Sequence, residues 1–227
     1  MAFIVKNTTF CSITDLVAPH SCRGCGAIGE VLCERCKNDT IIQHVNYCPN
    51  CKREIWGNKC KECELPPTFM VGFREGVIDE LIHDFKYNAV RAAGNVLAEL
   101  MAESLPEIAG KVVVVPLPTI QRHIRERGFG HTEILAKKLA KIREWQMRPL
   151  IKRRQDTVQV GADEEKRVRQ AWAAYEVVEK LDVKTTYILL DDVWTTGASM
   201  KAAMKKLQKA GAKKIIIAVL AVSRTGN

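Results

Sequence analysis

The sequence predicts an α/β protein, an open and mainly parallel β-sheet with helices on both faces, preceded by a small cysteine-rich module held by metal. Three observations carry this. Two unbroken apolar runs, KVVVVPLP at 111–118 and KIIIAVLAV at 214–222, read as strands covered on both faces, as in parallel sheets. The segments between them space their apolar residues as amphipathic helices do. Eight of the nine cysteines fall into four pairs with two-residue gaps, all within residues 22–63.

Along the chain, residues 11–65 are short of periodic segments, as expected where metal rather than an apolar core holds the fold. LPPT at 65–68 reads as a linker, and the texture changes from Phe69 onward. In GVIDELIHDFKYN (76–88), Val77, Ile78, Leu81, Ile82 and Phe85 share one helical face. A second helix follows from about Ala89 to Ser104, and a third runs from His131 to Arg143. Residues 187–190 form a strand, 198–210 a helix closed by Gly211, and 214–222 a strand. Strand, helix and strand at these spacings argue for a right-handed crossover.

Composition is that of an ordinary globular chain, 47% hydrophobic and 27% charged over 227 residues. No apolar run approaches the roughly 20 residues that span a bilayer. The start, MAFIVKNTTFCSI, lacks the basic and apolar regions of a signal peptide, so a cytoplasmic location is expected. In a reducing compartment the cysteine pairs read as metal ligands rather than disulfides. Four thiolates bind Zn2+ tetrahedrally. Two closed, structural sites are therefore expected. Sequential pairing joins Cys22, Cys25, Cys33 and Cys36 in one site and Cys48, Cys51, Cys60 and Cys63 in the other; interleaved pairing is the alternative. Cys11 stands outside the pattern as a plain thiol.

The net charge of +9 is concentrated in residues 111–154, where twelve Lys or Arg face three Glu. Such a band attracts phosphates, in a small ligand or a nucleic acid, unless it is only a solvated surface.

YILLDDVWTTGASM at 187–200 carries the most chemistry. Asp191 and Asp192 sit where a strand leaves the sheet, at the crevice in which α/β proteins bind ligands. Adjacent carboxylates do not flank a scissile glycosidic bond, which takes opposed groups about 5 Å or more apart. They do accept hydrogen bonds from vicinal hydroxyls or hold Mg2+ through waters. The following TTGAS supplies backbone N–H groups, hydroxyls and a helix N-terminus, a cradle for a phosphate. A ribose 5-phosphate fits both ends. Neither GxxxxGK[ST] nor GxGxxG is present.

LLDDVWTTGAS resembles the phosphoribosyl pyrophosphate (PRPP) signature of type I phosphoribosyltransferases. By that resemblance Asp191 and Asp192 contact the ribose hydroxyls, while Val193, Thr195, Thr196, Gly197, Ala198 and Ser199 wrap the 5-phosphate. The four cysteine pairs, DFKYNAVRAAGNVLAELM, VVVVPLPTIQRHIRERGFGHTEILAKKLA and RRQDTVQVGADEEKRVRQAWAAYEV together resemble the ComF family of competence-associated proteins, from Cys22 nearly to the end. The resemblance implies a double zinc-ribbon domain over residues 1–68 and a type I phosphoribosyltransferase-like domain over 69–227. It also implies a link to DNA uptake during natural transformation. Three positions depart from the family pattern: Pro118-Thr119 follows VPL, RGFGH (127–131) stands for the common RGFNQ, and Gln170 for Asn.

The family places the pyrophosphate on the loop after 112–118, here Thr119 to Arg122. Arg122, Arg125 and Arg127 cluster there and suit a polyphosphate. Lys86 reads either as a stem covering the core or as a phosphate ligand. Residues 151–170 read as a flap, with Gln159 and Arg167 as candidates. His131 reads as a surface residue, or as an acid or base. Trp194 reads as an exposed aromatic for a base or a neighbouring subunit. Three functions follow: an Mg2+-dependent phosphoribosyltransferase, with Asp191 and Asp192 as its catalytic acids; a PRPP-sensing or nucleotide-binding competence factor engaging single-stranded DNA, its zinc module docking a DNA-uptake helicase or a membrane partner; or a PRPP-responsive regulator, for which no helix-turn-helix is evident.

Overall fold

The computed structural model describes residues 20–41, 48–51, 53, 60, 62–63, 65–88, 90–154 and 174–223. Cys11, Gln159, Arg167 and Gln170 lie outside them.

The first cysteine group carries a minimal antiparallel pair, β1 (His20–Ser21) with β2 (Ile28–Gly29), and then α1 (Glu34–Ile41). The body follows as β3 (Thr68–Phe73), α2 (Gly76–Tyr87), α3 (Arg91–Ser104), β4 (Val112–Pro116), α4 (Gln121–Arg127), α5 (His131–Ile142) and β5 (Gln146–Met147). It ends with a hairpin of β6 (Ile151–Arg153) and β7 (Tyr175–Val177), then β8 (Thr186–Trp194), α6 (Ala198–Lys209) and β9 (Lys214–Val222).

Five strands form one sheet in the order β3-β9-β8-β4-β5, with every neighbouring pair parallel. The two apolar runs of the sequence are β4 and β9, both well inside the sheet. Alternate side chains enter two separate cores. Val112, Val114, Ile188 and Leu190 pack with α2, α3 and α5 on one face; Val113, Val115, Leu189 and Ile217 pack with α6 and the β6–β7 hairpin on the other. Burying such a side chain contributes about 1.5–3 kcal/mol each, and Ile188, Leu189 and Leu190 are fully buried.

The two cysteine groups join opposite cores. Cys22 and Cys36 lie in the α2–α3–α5 core with Val31 and Leu32, whereas Cys48 and Cys60 lie in the α6 core with Leu65. A metal held at each group would thus brace one face of the sheet.

Several elements differ from the sequence reading. The linker gives way at Thr68 to an edge strand, β3, because TFMVGF lies directly along β9. The loop expected at 119–122 is short, and Arg122, Arg125 and Arg127 stand on helix α4. Strand β8 does not stop at Leu190 but runs through both acids to Trp194, since β9 keeps pairing with it as far as Val222.

Candidate functional site

From β4 the chain passes through α5 to β5 at one edge; from β8 it passes through α6 to β9 on the other side. The strand order therefore reverses between β4 and β8, and a crevice opens there beyond their carboxyl ends. The N–H of Leu117 donates to the Leu190 carbonyl at 2.8 Å, the last tie between the two strands. Past it β8 continues beside β9, so Asp191 and Asp192 stand at the carboxyl end of β8 where the strand order reverses.

Successive strand residues face opposite ways, and the two acids have different surroundings. Asp192 is buried. It forms an ion pair with Lys86, at the end of α2, and its Oδ2 lies 3.2 Å from Nε2 of His131, at the start of α5. Its Oδ1 accepts the Val193 N–H at 2.8 Å. Asp191 is half-buried, and its Oδ1 accepts the Asp192 N–H at 2.9 Å. Burial, and then the charge of Asp192, push the Asp191 carboxyl well above the usual carboxylate range. Burial acts in the same direction on Asp192, but the bond from His131 and the charge of Lys86 outweigh it and hold that carboxyl well below.

Beyond the acids Thr195 and Thr196 are exposed, while Ala198 and Ser199 are half-exposed. Gly197 has φ 72°, a left-handed conformation that glycine adopts without a Cβ clash. It caps α6, whose first turn has no acidic residue, so the helix N-terminus faces outward with its partial positive charge intact. Thr196 Oγ1 accepts the Ala198 N–H at 3.4 Å. Trp194 is not the exposed aromatic expected. As the last residue of β8 it is 1% exposed, lies in the α6 core and forms the floor under Gly197; a Cβ on Gly197 would lie 2.1 Å from Trp194 Cζ2. Among the described residues its Nε1 has no hydrogen-bond partner.

Thr119 Oγ1 lies 3.1 Å from Thr132 Oγ1, which donates to the Leu117 carbonyl at 2.7 Å. These threonines line a cavity of about 320 Å³ with Pro118, Gly130, Lys152 and Arg153; neither Asp191 nor Asp192 lines it. Arg122 is exposed and pairs with Glu126 at 3.0 Å on its own helix. Lys86 is bound to Asp192 rather than standing open to solvent.

Sequence reasoning missed or discounted several neighbours. His131 is buried, not a surface residue. Arg127 reaches it from α4. Tyr175, also buried, receives a bond from Arg153 at 3.1 Å, contacts Ser199 and lies within electrostatic reach of Asp191. The Tyr175 contacts join segments far apart in the chain, and Arg127 meets His131, four residues on, across the Gly128 turn between α4 and α5, so helical spacing signals neither.

The cysteines pair sequentially. Cys22, Cys25, Cys33 and Cys36 converge, as do Cys48, Cys51, Cys60 and Cys63, with all sulfurs of a group within 4.8 Å of one another. A Zn–S bond of about 2.3 Å implies tetrahedral sulfur-to-sulfur edges of about 3.8 Å. Cys25 to Cys33 measures 3.8 Å and Cys51 to Cys60 3.7 Å. Burial raises the Cys22 thiol, but N–H groups of Cys33, Cys25 and Gly24 overcome it and bring it down to about 6, suiting a thiolate ligand. The residues fit zinc.

The phosphoribosyl transferase domain family matches this chain over residues 86–226. Among curated proteins, "Competence protein ComFC" of Streptococcus pneumoniae strain R6 is 24% identical over 216 residues, 91% of this chain and 90% of that protein. Together with the cysteine groups, these findings agree with the ComF resemblance. A solved structure, "Structure of the allosteric regulatory enzyme of purine biosynthesis", overlaps 56% of this chain at 12% identity and a TM-score of 0.39, and this chain spans only 24% of that one. Among the described residues no helix is long and apolar enough to cross a membrane.

Proposed function

The chain belongs to the phosphoribosyl transferase domain family, and from that premise we propose that it binds PRPP with Mg2+ at the carboxyl end of β8 and transfers or senses ribose 5-phosphate. One observation carries the reading. The left-handed Gly197 turn opens α6 beside two acids, at the point where the strand order reverses. The amides and hydroxyls of 195–199 cradle the 5-phosphate, and Asp191, the acid with a half-exposed face, receives a ribose hydroxyl. Asp192 orders the turn through its bond from Val193 N–H.

In transfer, an acceptor attacks C1 of the ribose while the bond to pyrophosphate breaks and its electrons leave with the diphosphate. Mg2+, when bound, would supply positive charge to that leaving group. Among the described residues three or more metal-ligating side chains converge at the cysteine groups alone, so the substrate's own phosphates would have to supply most of the oxygens for Mg2+. Thr119, with Lys152 and Arg153 across the cavity, would meet the diphosphate.

Pure protein is mixed with PRPP, Mg2+ and candidate bases or DNA, and pyrophosphate release is followed. Release that stops in the Asp191→Asn, Asp192→Asn double variant supports a transferase. PRPP binding without release supports a sensor, and absence of binding rejects both.

The likeness to a pneumococcal competence protein supports extending the proposal to DNA uptake. Single-stranded DNA along the basic residues of 111–154 would show affinity falling steeply with salt. A helicase docking on the cysteine module would be the second partner, and the protein would act in the cytoplasm.

A further inference from the structure

His131 presents its two ring nitrogens to two different partners. Nε2 lies 3.2 Å from Asp192 Oδ2, and Nδ1 lies 3.2 Å from Nη1 of Arg127. A guanidinium offers only donors and keeps its protons at physiological pH. The Nδ1 that faces it must therefore accept, which leaves the ring proton on Nε2, the nitrogen 3.2 Å from Asp192 Oδ2; among the described residues that oxygen has no aligned hydrogen-bond donor while Lys86 holds it by charge. Arg127 is itself held in place: Nη2 donates to the Tyr87 hydroxyl at 3.1 Å, and the guanidinium stacks 4.7 Å from the Tyr87 ring centre. Tyr87 directly follows Lys86, the other partner of Asp192.

We propose that Arg127 and His131 are positioning residues for the acid pair: Arg127 fixes the Nε2–H tautomer of His131, and that N–H keeps Asp192 in place when Lys86 turns away to an incoming phosphate. The need is physical. A buried carboxylate with a single cationic partner is left as an uncompensated buried charge when that partner leaves. A second, neutral donor removes the obstacle. The exchange of Lys86 rests on the PRPP reading above; the tautomer does not.

The test uses the zinc-loaded, full-length protein. Nitrogen-15 correlation spectra of the histidine rings, with the His131 signal assigned by its loss in His131→Gln, are expected to show bare Nδ1 and protonated Nε2. In Arg127→Leu that preference should relax toward a mixture. Calorimetric titration with PRPP and Mg2+ should give a dissociation constant about tenfold or more weaker for His131→Ala. His131→Gln, whose amide still donates, should recover most of it at an unchanged melting temperature. A protonated Nδ1 in the wild type overturns the proposal even if the alanine variant fails to fold. So does unchanged affinity in His131→Ala, or a folded glutamine variant as weak as alanine. Wild-type protein that binds no PRPP rejects the functional reading and the exchange of Lys86 with it, while the tautomer, read without ligand, is judged by its own spectrum.

Discussion

Lys201, in the first turn of α6, donates to the side-chain oxygen of Asn50, and the amide nitrogen of Asn50 donates to Cys63 Sγ at 3.2 Å. The backbone N–H of Lys201 also bonds the Gly197 carbonyl at 2.8 Å. The second cysteine group is thereby tied to the loop that would cradle a phosphate. Asn50→Ala should keep the zinc content of the wild type yet weaken PRPP binding, by up to about tenfold for the loss of one hydrogen-bonded link. Metal analysis beside calorimetry checks this, and equal affinities in the two proteins would show that the tie has no bearing on the loop.

The floor under the same loop is steric. Gly197→Ala places a methyl 2.1 Å from Trp194 Cζ2 at φ 72°, so both backbone strain and collision oppose it. Left-handed strain alone costs about 1–2 kcal/mol, and the clash adds to it. Urea denaturation should show a loss of more than about 2 kcal/mol. Because the obstacle is the indole, Gly197→Ala in a Trp194→Leu background should cost distinctly less, a non-additivity expected only of residues in contact.

What the sequence disclosed was what local chemistry decides. Cysteine gaps of two residues make turns whose sulfurs converge, and the glycine after the acids and threonines marked the turn from strand into helix. The two apolar runs were legible because central parallel strands need no alternation. Trp194 was misread for a related reason: two acids inside a strand look like its end, yet pairing with β9 carries β8 onward and draws the indole into the core. Lys86 and His131 on Asp192, with Arg127 behind His131, bring together α2, α4, α5 and β8. No spacing along the chain encodes that meeting. His131 looked like a surface residue because the apolar positions of its helix do not reveal that its first turn faces the end of β8.

Metal loss should act on both faces of the sheet. Cys48 is fully buried in the α6 core, and Cys22 is buried in the opposite one. Cys48→Ser is expected to retain one zinc of the two that the cysteine groups suit and to lower the melting temperature, while Cys22→Ser removes the other zinc with a similar loss. Chelation of both ions should expose apolar surface on both faces, seen as dye binding. A protein whose melting temperature ignores chelation would mean that the metal does not brace the sheet.

The two adjacent acids should respond to neutralisation in opposite senses. Asp191 has its carboxyl raised by burial and by the charge of Asp192, so the folded state holds that proton more tightly than the unfolded chain, whose value is about 3.9. Its contribution to stability is complete below that value and is lost as pH rises through the folded one. Asp191→Asn should therefore stabilise the protein at neutral pH. Asp192 is depressed by His131 and Lys86; its contribution is present above about pH 3.9 and fades as pH falls through the folded value. Asp192→Asn should destabilise at neutral pH, by about 1–3 kcal/mol, because Lys86 loses its partner. Both substitutions should abolish PRPP binding or turnover. Denaturation curves at pH 5 and pH 7.5 separate the two: stability that moves the same way for both would mean that the acids share one environment, contrary to their placement on opposite sides of β8.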